Sequence, residues 1–305
     1  MAETEKQRGF LSVPGTEIRL PYTEIVGTKS GPHLVVTGGV HGGEYPGIEA
    51  SIRWAASLDP ALLAGRITVI HLSNPPAFYA KRQYVSPLDN KNLNRVFPGD
   101  DQGTPTERVA RAIIDVVKTG DAWVDLHGGD IHEGLVPFVI FSDQGGEAVV
   151  RQAEAMARIY GIQHMLRSSA IAGGSYATAA HLGIPALLAE SGQVGQVDES
   201  SVQIHLRGLT NLLVHWGMLK APKPQALDNP ILERFHWISS PATGLYYGVF
   251  KPGDWVDQGQ VGGVIKNVFG DLVHEVVAPQ SGVVLFTVTS LAINEGDPLF
   301  AIAAP

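Results

Sequence analysis

From about Gly31 to His215, apolar runs that end in glycine alternate with segments whose apolar residues recur every three or four positions. The runs are nearly continuous in apolar character, which predicts strands buried on both faces; the periodic segments predict amphipathic helices. Strands are expected over HLVVTGG (His33 to Gly39), RITVIHLS (Arg66 to Ser73), AWVDLHGG (Ala122 to Gly129), PFVIFSD (Pro137 to Asp143) and PALLAES (Pro185 to Ser191). Helices are expected over Ile48 to Leu58, Thr106 to Lys118, Gly146 to Gly161 and Ser175 to Gly183. The alternation predicts an α/β fold with helices on both faces of the sheet.

At APKPQALDNP (Ala221 to Pro230) the periodicity stops and proline accumulates, as in a linker. Beyond it, short alternating segments between Gly and Pro predict a small all-β domain. The expected division is a catalytic domain over 1–220 and a β domain over 231–305. That tail echoes itself: Val249 to Ile265 and Leu291 to Ile302 each place a Gly-Asp turn before a strand. With APQSGVV (Ala278 to Val284) opening a second half, it resembles the barrel-sandwich fold of biotinyl and lipoyl carriers. Those carriers present a modified Lys at a central turn. Here the turn in VFGDLVHEV (Val268 to Val276) has none at its tip, and Lys266 just before it reads as a surface residue. The tail is expected to be structural or to cap a substrate.

Composition narrows the chemistry. The 305 residues suffice for one large domain with or without a small companion, and 44% apolar with 17% charged residues is globular. A net charge of -8 without a basic cluster argues against a nucleic-acid partner. Cysteine is absent, so thiolate nucleophiles are excluded and any metal must be held by His, Asp or Glu. MAETEKQRGF lacks the apolar core of a secretory signal, and no apolar run approaches bilayer length. A cytoplasmic protein acting on a small molecule, without a membrane partner, is the expectation; a homo-oligomer is compatible with it.

The segment VVTGGVHGGEYPG (Val35 to Gly47) carries the most chemistry. An apolar strand runs into His41-Gly42-Gly43-Glu44, and a histidine and a carboxylate three residues apart can converge on one ion where strand turns to helix. The glycines permit the tight path. A lone His-x-x-Glu is common by chance, and a glycine-rich loop can instead cradle phosphate, although no Gly-Lys-Ser/Thr follows. A second strand end, WVDLHGGD, places His127 before two more glycines. His41, Glu44 and His127 would make a zinc site with one position left for water. Asp125 is suited either to orient a ligand imidazole or to cap a loop. His132 is a rival ligand in an expected loop. A third strand ends in Glu190, suited to general-base work or simply emerging into solvent. No Gly-x-Ser-x-Gly elbow supports a serine hydrolase. His33, His71, His181, His205 and His215 sit in ordinary strand or helix contexts.

HGGE, NLNRVFPG (Asn92 to Gly99), DLHGG and AESG, in this order, resemble the succinylglutamate desuccinylase and aspartoacylase family, which belongs with the zinc carboxypeptidases by fold. The stretch SPLDNKNLNRVFPG (Ser86 to Gly99) is similar to a bacterial branch that includes deacetylases of N-acetyl-diaminobutyrate in ectoine breakdown. The resemblance implies a zinc carboxypeptidase-like mixed sheet and one Zn2+ per chain held by His41, Glu44 and His127. It also implies Glu190 as base, and Asn94 with Arg95 gripping a substrate carboxylate, which a planar guanidinium suits. An upstream arginine that polarises the scissile carbonyl falls on Arg82. A further contact from the tail falls on Tyr246, Tyr247 or Asn294. The implied activity is hydrolysis of a small N-acyl amino acid or N-acylated amine. A metallocarboxypeptidase acting on peptides is a rival, as is a non-catalytic metal-binding protein whose site a fourth protein ligand would close.

Overall fold

The computed structural model describes residues 5–305. Ten strands precede the tail: β1 (Glu5–Ser12), β2 (Arg19–Val26), β3 (Lys29–Gly38), β4 (Ala64–Ile70), β5 (Ala122–His127), β6 (Glu133–Leu135), β7 (Phe138–Phe141), β8 (His164–Arg167), β9 (Ala186–Glu190) and β10 (Ile231–Leu232). Six helices accompany them: α1 (Tyr45–Ser57), α2 (Pro75–Ala80), α3 (Pro105–Val117), α4 (Glu147–Tyr160), α5 (Ser175–His181) and α6 (Glu199–His215). The main sheet is mixed and runs β1-β2-β4-β3-β5-β9-β7-β8-β10. At its centre β3, β5 and β9 are parallel neighbours, flanked by β4 and by antiparallel β7.

The central strands alternate between two cores, as a sheet covered on both sides requires. Leu34, Val36, Val124 and Leu187 face α1, α4 and α6, whereas Val35, Trp123 and Leu188 face α3 and α5. In α3, Val109, Ala110, Ile113, Ile114 and Val117 are buried at helical spacing, and Pro105 at its start loses no needed hydrogen bond.

The sheet is wider than the apolar runs predict. The hairpin β1–β2 extends one edge, and two residues past the linker form β10 on the other, parallel to β8. The linker itself is tied down, because Leu227 N–H donates to the Arg158 carbonyl and the Arg158 guanidinium donates to the carbonyls of Leu227 and Asn229.

The tail comprises β11 (Arg234–Ser239), β12 (Gly244–Gly248), β13 (Trp255–Val256), β14 (Val261–Lys266), β15 (Leu272–Val277), β16 (Gly282–Val288), β17 (Ala292–Ile293) and β18 (Pro298–Ala304). They form two sheets, β11-β18-β16-β13 and β15-β14-β12-β17, around a core that includes Tyr246, Val284, Leu299 and Phe300. The echo in the sequence has a structural counterpart. Asp254 accepts from Lys251 N–H and Asp297 accepts from Asn294 N–H, so each Gly-Asp turn is closed the same way. β6, from the loop after β5, pairs with β16 and joins the tail sheet. No helix is long and apolar enough to cross a membrane among the described residues.

Candidate active site

Three parallel neighbours, β3, β5 and β9, end side by side, and each delivers a candidate residue at or just past its C-terminal end. β3 leads into His41 and Glu44, β5 closes on His127, and Glu190 closes β9 directly across from His127 in the pairing register. Such strand ends are where open α/β sheets place their sites. The glycines let the backbones close in. A Cβ on Gly42 would stand 2.3 Å from the Phe78 amide nitrogen, and one on Gly128 would stand 2.4 Å from the Ser191 carbonyl oxygen.

His41, Glu44 and His127 are buried, and one ligand atom from each lies within 4.8 Å of the others. His41 Nδ1 is 2.6 Å from Glu44 Oε1, and His127 Nδ1 is 2.8 Å from Glu44 Oε2. The far ring nitrogens are also fixed. His127 Nε2 donates to Asp125 Oδ2 at 2.8 Å. His41 Nε2 lies 3.0 Å from Asn92 Oδ1, an oxygen identified as such because it also accepts the Asn94 N–H at 2.8 Å.

Each imidazole therefore stands between two acceptors. A neutral ring has one N–H, and it is spent on the far side, so both Nδ1 lone pairs face a carboxylate. Only a positive charge satisfies that contact: an extra proton on each ring or one cation shared by all three side chains. Two imidazole nitrogens and a carboxylate are borderline donors suited to zinc. The electrostatics agree. Burial disfavours imidazolium, yet the carboxylates of Glu44 and, for His127, Asp125 outweigh it and raise both histidines above the usual range. Glu44 is opposed by burial, but the two imidazoles hold it down at about 2.

A chain of buried hydrogen bonds backs the centre. Trp123 Nε1 donates to Thr37 Oγ1, Thr37 Oγ1 donates to Asp125 Oδ1 at 2.6 Å, and Asp125 holds His127. On the other side His205 Nε2 meets the His127 carbonyl at 3.1 Å, and Tyr160 holds the other ring nitrogen of His205.

The centre opens into a cavity of about 700 Å3. Glu190 lines it, and its Oε2 is buried without a hydrogen-bond partner among the described residues. Burial, reinforced by the Glu44 carboxylate, pushes Glu190 well above the usual carboxylate range.

A model of the succinylglutamate desuccinylase/aspartoacylase catalytic domain matches residues 30–216. The chain belongs to this family. A relative from Halomonas elongata, N-alpha-acetyl-L-2,4-diaminobutyric acid deacetylase, is 32% identical over 97% of this chain and 91% of its own length. Among solved structures, a product-bound ectoine utilization protein from Ruegeria pomeroyi has a TM-score of 0.89 and 26% identity, covering 98% of this chain and 95% of that one. A succinylglutamate desuccinylase/aspartoacylase from Rhodobacter sphaeroides has a TM-score of 0.88 and 26% identity, covering 99% and 96%.

Against this desuccinylase/aspartoacylase frame the structure distributes the residues singled out in the sequence unevenly. His41, Glu44, His127, Glu190, Asn94 and Arg95 all line one cavity. Asn94 Oδ1 is committed to the Ser175 N–H at the start of α5, which leaves its Nδ2. Arg95 donates to the Asn94 carbonyl and has no carboxylate partner among the described residues. Arg82 is not on the cavity. Lys81 ends α2 in a left-handed conformation, which turns the chain so that Arg82 points out and donates to exposed Asn90 at 3.4 Å. His132 is exposed and outside the metal group. Tyr246 and Tyr247 line a separate depression in the tail, and Asn294 closes its Gly-Asp turn. The tail reaches the cavity through Phe235, Trp237, Phe286 and Pro298 instead. Asn92, Tyr84 and Glu133 are further polar residues of the wall that escaped the sequence reading, although Asn92 stands inside the quoted motif.

Proposed function

We propose that this chain is a zinc-dependent amidohydrolase that cleaves the amide bond of a small N-acyl amino acid. The observation that carries this reading is Glu190 Oε2: a buried, unpartnered carboxylate oxygen beside a three-residue metal centre, on a cavity sized for a small molecule. In the same reading the main sheet is zinc carboxypeptidase-like and the tail is an unmodified barrel-sandwich module. The name of the Halomonas elongata relative, a deacetylase, points the same way.

His41, Glu44 and His127 would hold one zinc ion per chain. When bound, the ion supplies a Lewis acid for the scissile carbonyl and lowers the pKa of an attacking water. Glu190 Oε2 takes the proton from that water and passes it to the leaving nitrogen; its raised pKa suits a group that must hold the proton between the two transfers. The Arg95 guanidinium, unpaired in the cavity, takes the substrate carboxylate, with Asn94 Nδ2 beside it. Arg82, outside the cavity, is given no role. Trp237 and Phe286, stacked with ring centres 4.8 Å apart, give the cavity an apolar wall. Three converging side chains among the described residues, rather than four, favour a catalytic over a purely structural metal.

The test is metal analysis of the purified chain together with a mass-spectrometric panel of N-acyl amino acids and peptides. Glu190→Gln should retain about one zinc and lose on the order of 10²–10⁴ in kcat. Full turnover in that variant, or hydrolysis indifferent to a chelator, would refute the mechanism.

A further inference from the structure

Attack on an amide puts negative charge on the carbonyl oxygen. A fixed donor aimed at that oxygen stabilises the transition state more than the bound substrate. Arg82 lies off the cavity and cannot be that donor. Among the amide, hydroxyl and guanidinium groups of the wall, Arg95 and Asn94 are assigned to the substrate carboxylate, and the Asn92 oxygen is committed to His41, which leaves the hydroxyl of Tyr84.

The Tyr84 ring stands edge-on to His41, with ring centres 5.9 Å apart, so the side chain borders the metal centre. Its backbone is left-handed, with φ at 57°, a conformation that a residue with a Cβ resists. The surroundings impose it. The Tyr84 N–H donates to Oδ2 of buried Asp130 at 3.1 Å, and the next residue, Val85, is bridged to Asn92. Backbone strain of this kind persists where the fold over-determines it, and it gathers at functional sites. The hydroxyl is also held: it donates to Glu133 Oε1, while the Asp130 N–H donates to Glu133 Oε2 at 2.8 Å. Asp130 therefore anchors both members of the pair. Glu133 opens β6, whose pairing with β16 sets it opposite Val288, so the tail sheet helps fix the carboxylate.

We propose that Tyr84 is a catalytic residue whose hydroxyl donates a hydrogen bond to the scissile carbonyl oxygen as that oxygen becomes negative, and that Glu133 is the positioning residue that holds the hydroxyl until then. This rests on the deacylase reading above. A phenol has one hydrogen to give. A carboxylate accepts it more strongly than a neutral carbonyl, so with intact substrate the hydrogen stays on Glu133. Once the carbonyl oxygen turns anionic it competes, and rotation about the Cζ–Oη bond delivers the hydrogen without moving a heavy atom. No proton changes owner, because a phenol keeps its hydrogen at neutral pH. Glu133 retains the Asp130 N–H. With a divalent ion on His41, Glu44 and His127 the centre is net positive, which steadies the carboxylate that the phenol has left. The new bond is thus made in the transition state, and its loss should fall on kcat rather than KM.

The experiment measures kcat and KM of the zinc-loaded full chain on Nα-acetyl-2,4-diaminobutyrate, N-acetylaspartate and N-succinylglutamate. On the best of the three, Tyr84→Phe should lower kcat by about 10²-fold and leave KM within about threefold. Its zinc content should match wild type, because the ring beside His41 remains. Arg82→Ala should keep its kcat. In Glu133→Gln the amide accepts the phenol hydrogen less strongly than a carboxylate does, so this variant should lose less kcat than Tyr84→Phe. The double variant should be no slower than Tyr84→Phe alone, since Glu133 acts through Tyr84. Calorimetry reads the same contact without turnover. A phosphonamidate analogue of that substrate, with tetrahedral phosphorus in place of the attacked carbon, should bind Tyr84→Phe about 10²-fold more weakly than wild type, while the amine product binds both alike. If Tyr84→Phe does not fold, Arg82→Ala and Glu133→Gln still decide. A Tyr84→Phe protein with wild-type kcat, a loss confined to KM, undiminished binding of the phosphonamidate, a Glu133→Gln loss independent of Tyr84, or a large fall of kcat in Arg82→Ala would overturn the assignment and leave the deacylase reading standing. Wild-type chain inert on all three substrates would bring down both.

Discussion

Asp125→Asn tests the metal centre most sharply, because it removes a charge while keeping nearly every atom. In the wild type both Asp125 oxygens accept, Oδ2 from His127 and Oδ1 from Thr37, whose hydroxyl in turn accepts from Trp123. An asparagine has two arrangements. With its oxygen on His127, its NH2 faces Thr37, and the Thr37 hydroxyl then receives two donors while its own hydrogen has no acceptor. That leaves one buried unsatisfied donor, a cost of about 1–3 kcal/mol. With the amide reversed, the NH2 faces His127 Nε2, the ring proton must move to Nδ1, and the lone pair meant for the metal is gone. Both outcomes lower affinity, by about 10–100-fold for a carboxylate behind a ligand histidine, or about 1.4–2.7 kcal/mol. Competition with a fluorescent zinc chelator at fixed pH measures this directly. Thr37→Val is the control: it leaves the carboxylate on His127 but strands Asp125 Oδ1 and the Trp123 N–H, so it should lower the melting temperature more than the zinc affinity. An Asp125→Asn protein with zinc affinity within twofold of wild type would refute the claim that this carboxylate sets the His127 tautomer.

Gly128→Ala puts a methyl group 2.4 Å from the Ser191 carbonyl oxygen, and the two residues directly follow the paired ends of β5 and β9, which leaves their backbones little room to separate. A loss of about 2–3 kcal/mol is expected in a thermal melt, with zinc affinity falling too, because the Gly128 N–H faces Glu44 Oε2; a variant melting within a degree of wild type would contradict it. Burial holds His71 down at about 4, with Thr23 and Ser51 on its two ring nitrogens. The unfolded chain binds that proton near pH 6.5 and the folded chain does not, so stability should fall as pH drops from about 6.5 to about 4, by at most about 3 kcal/mol, and then level off. Urea midpoints of wild type and His71→Gln at pH 7.5, 6 and 5 should therefore converge or cross as the pH falls; parallel profiles would exclude this source of acid lability.

Long buried elements were the legible part of the sequence. All five strands read from apolar runs lie in the main sheet, and the four helices read from periodicity fall within a few residues of their predicted ends. What escaped was short or set by distant partners. β1 alternates exposed and half-buried residues on a sheet edge, so it carries no run. β10 is two residues long in a proline-rich stretch and exists because β8 offers an open edge. The 17-residue α6 lay inside the expected domain but went unnamed, its periodicity blurred by a low contrast between faces. Among the residues that line the cavity, those on strand ends were readable because glycine and an apolar run frame them. Arg82 came from the family resemblance alone, and in the structure it lies off the cavity, just past the left-handed Lys81 that ends α2. Glu133 and Trp237 reach the cavity only through the pairing of β6 with β16 and the packing of the tail, neither of which leaves a local mark.

The pairing across the expected boundary bears on how such a protein can be inherited. The stretch that defines the family, residues 30–216, omits the β1–β2 hairpin, the β10 edge and the sheet that receives β6. Excised, it would expose two raw sheet margins and lose the roof over its own reaction chamber. The matched stretch is thus no self-sufficient unit. It can change partners in evolution only if both ends of the polypeptide travel with it, so fusions and swaps are confined to the outer termini.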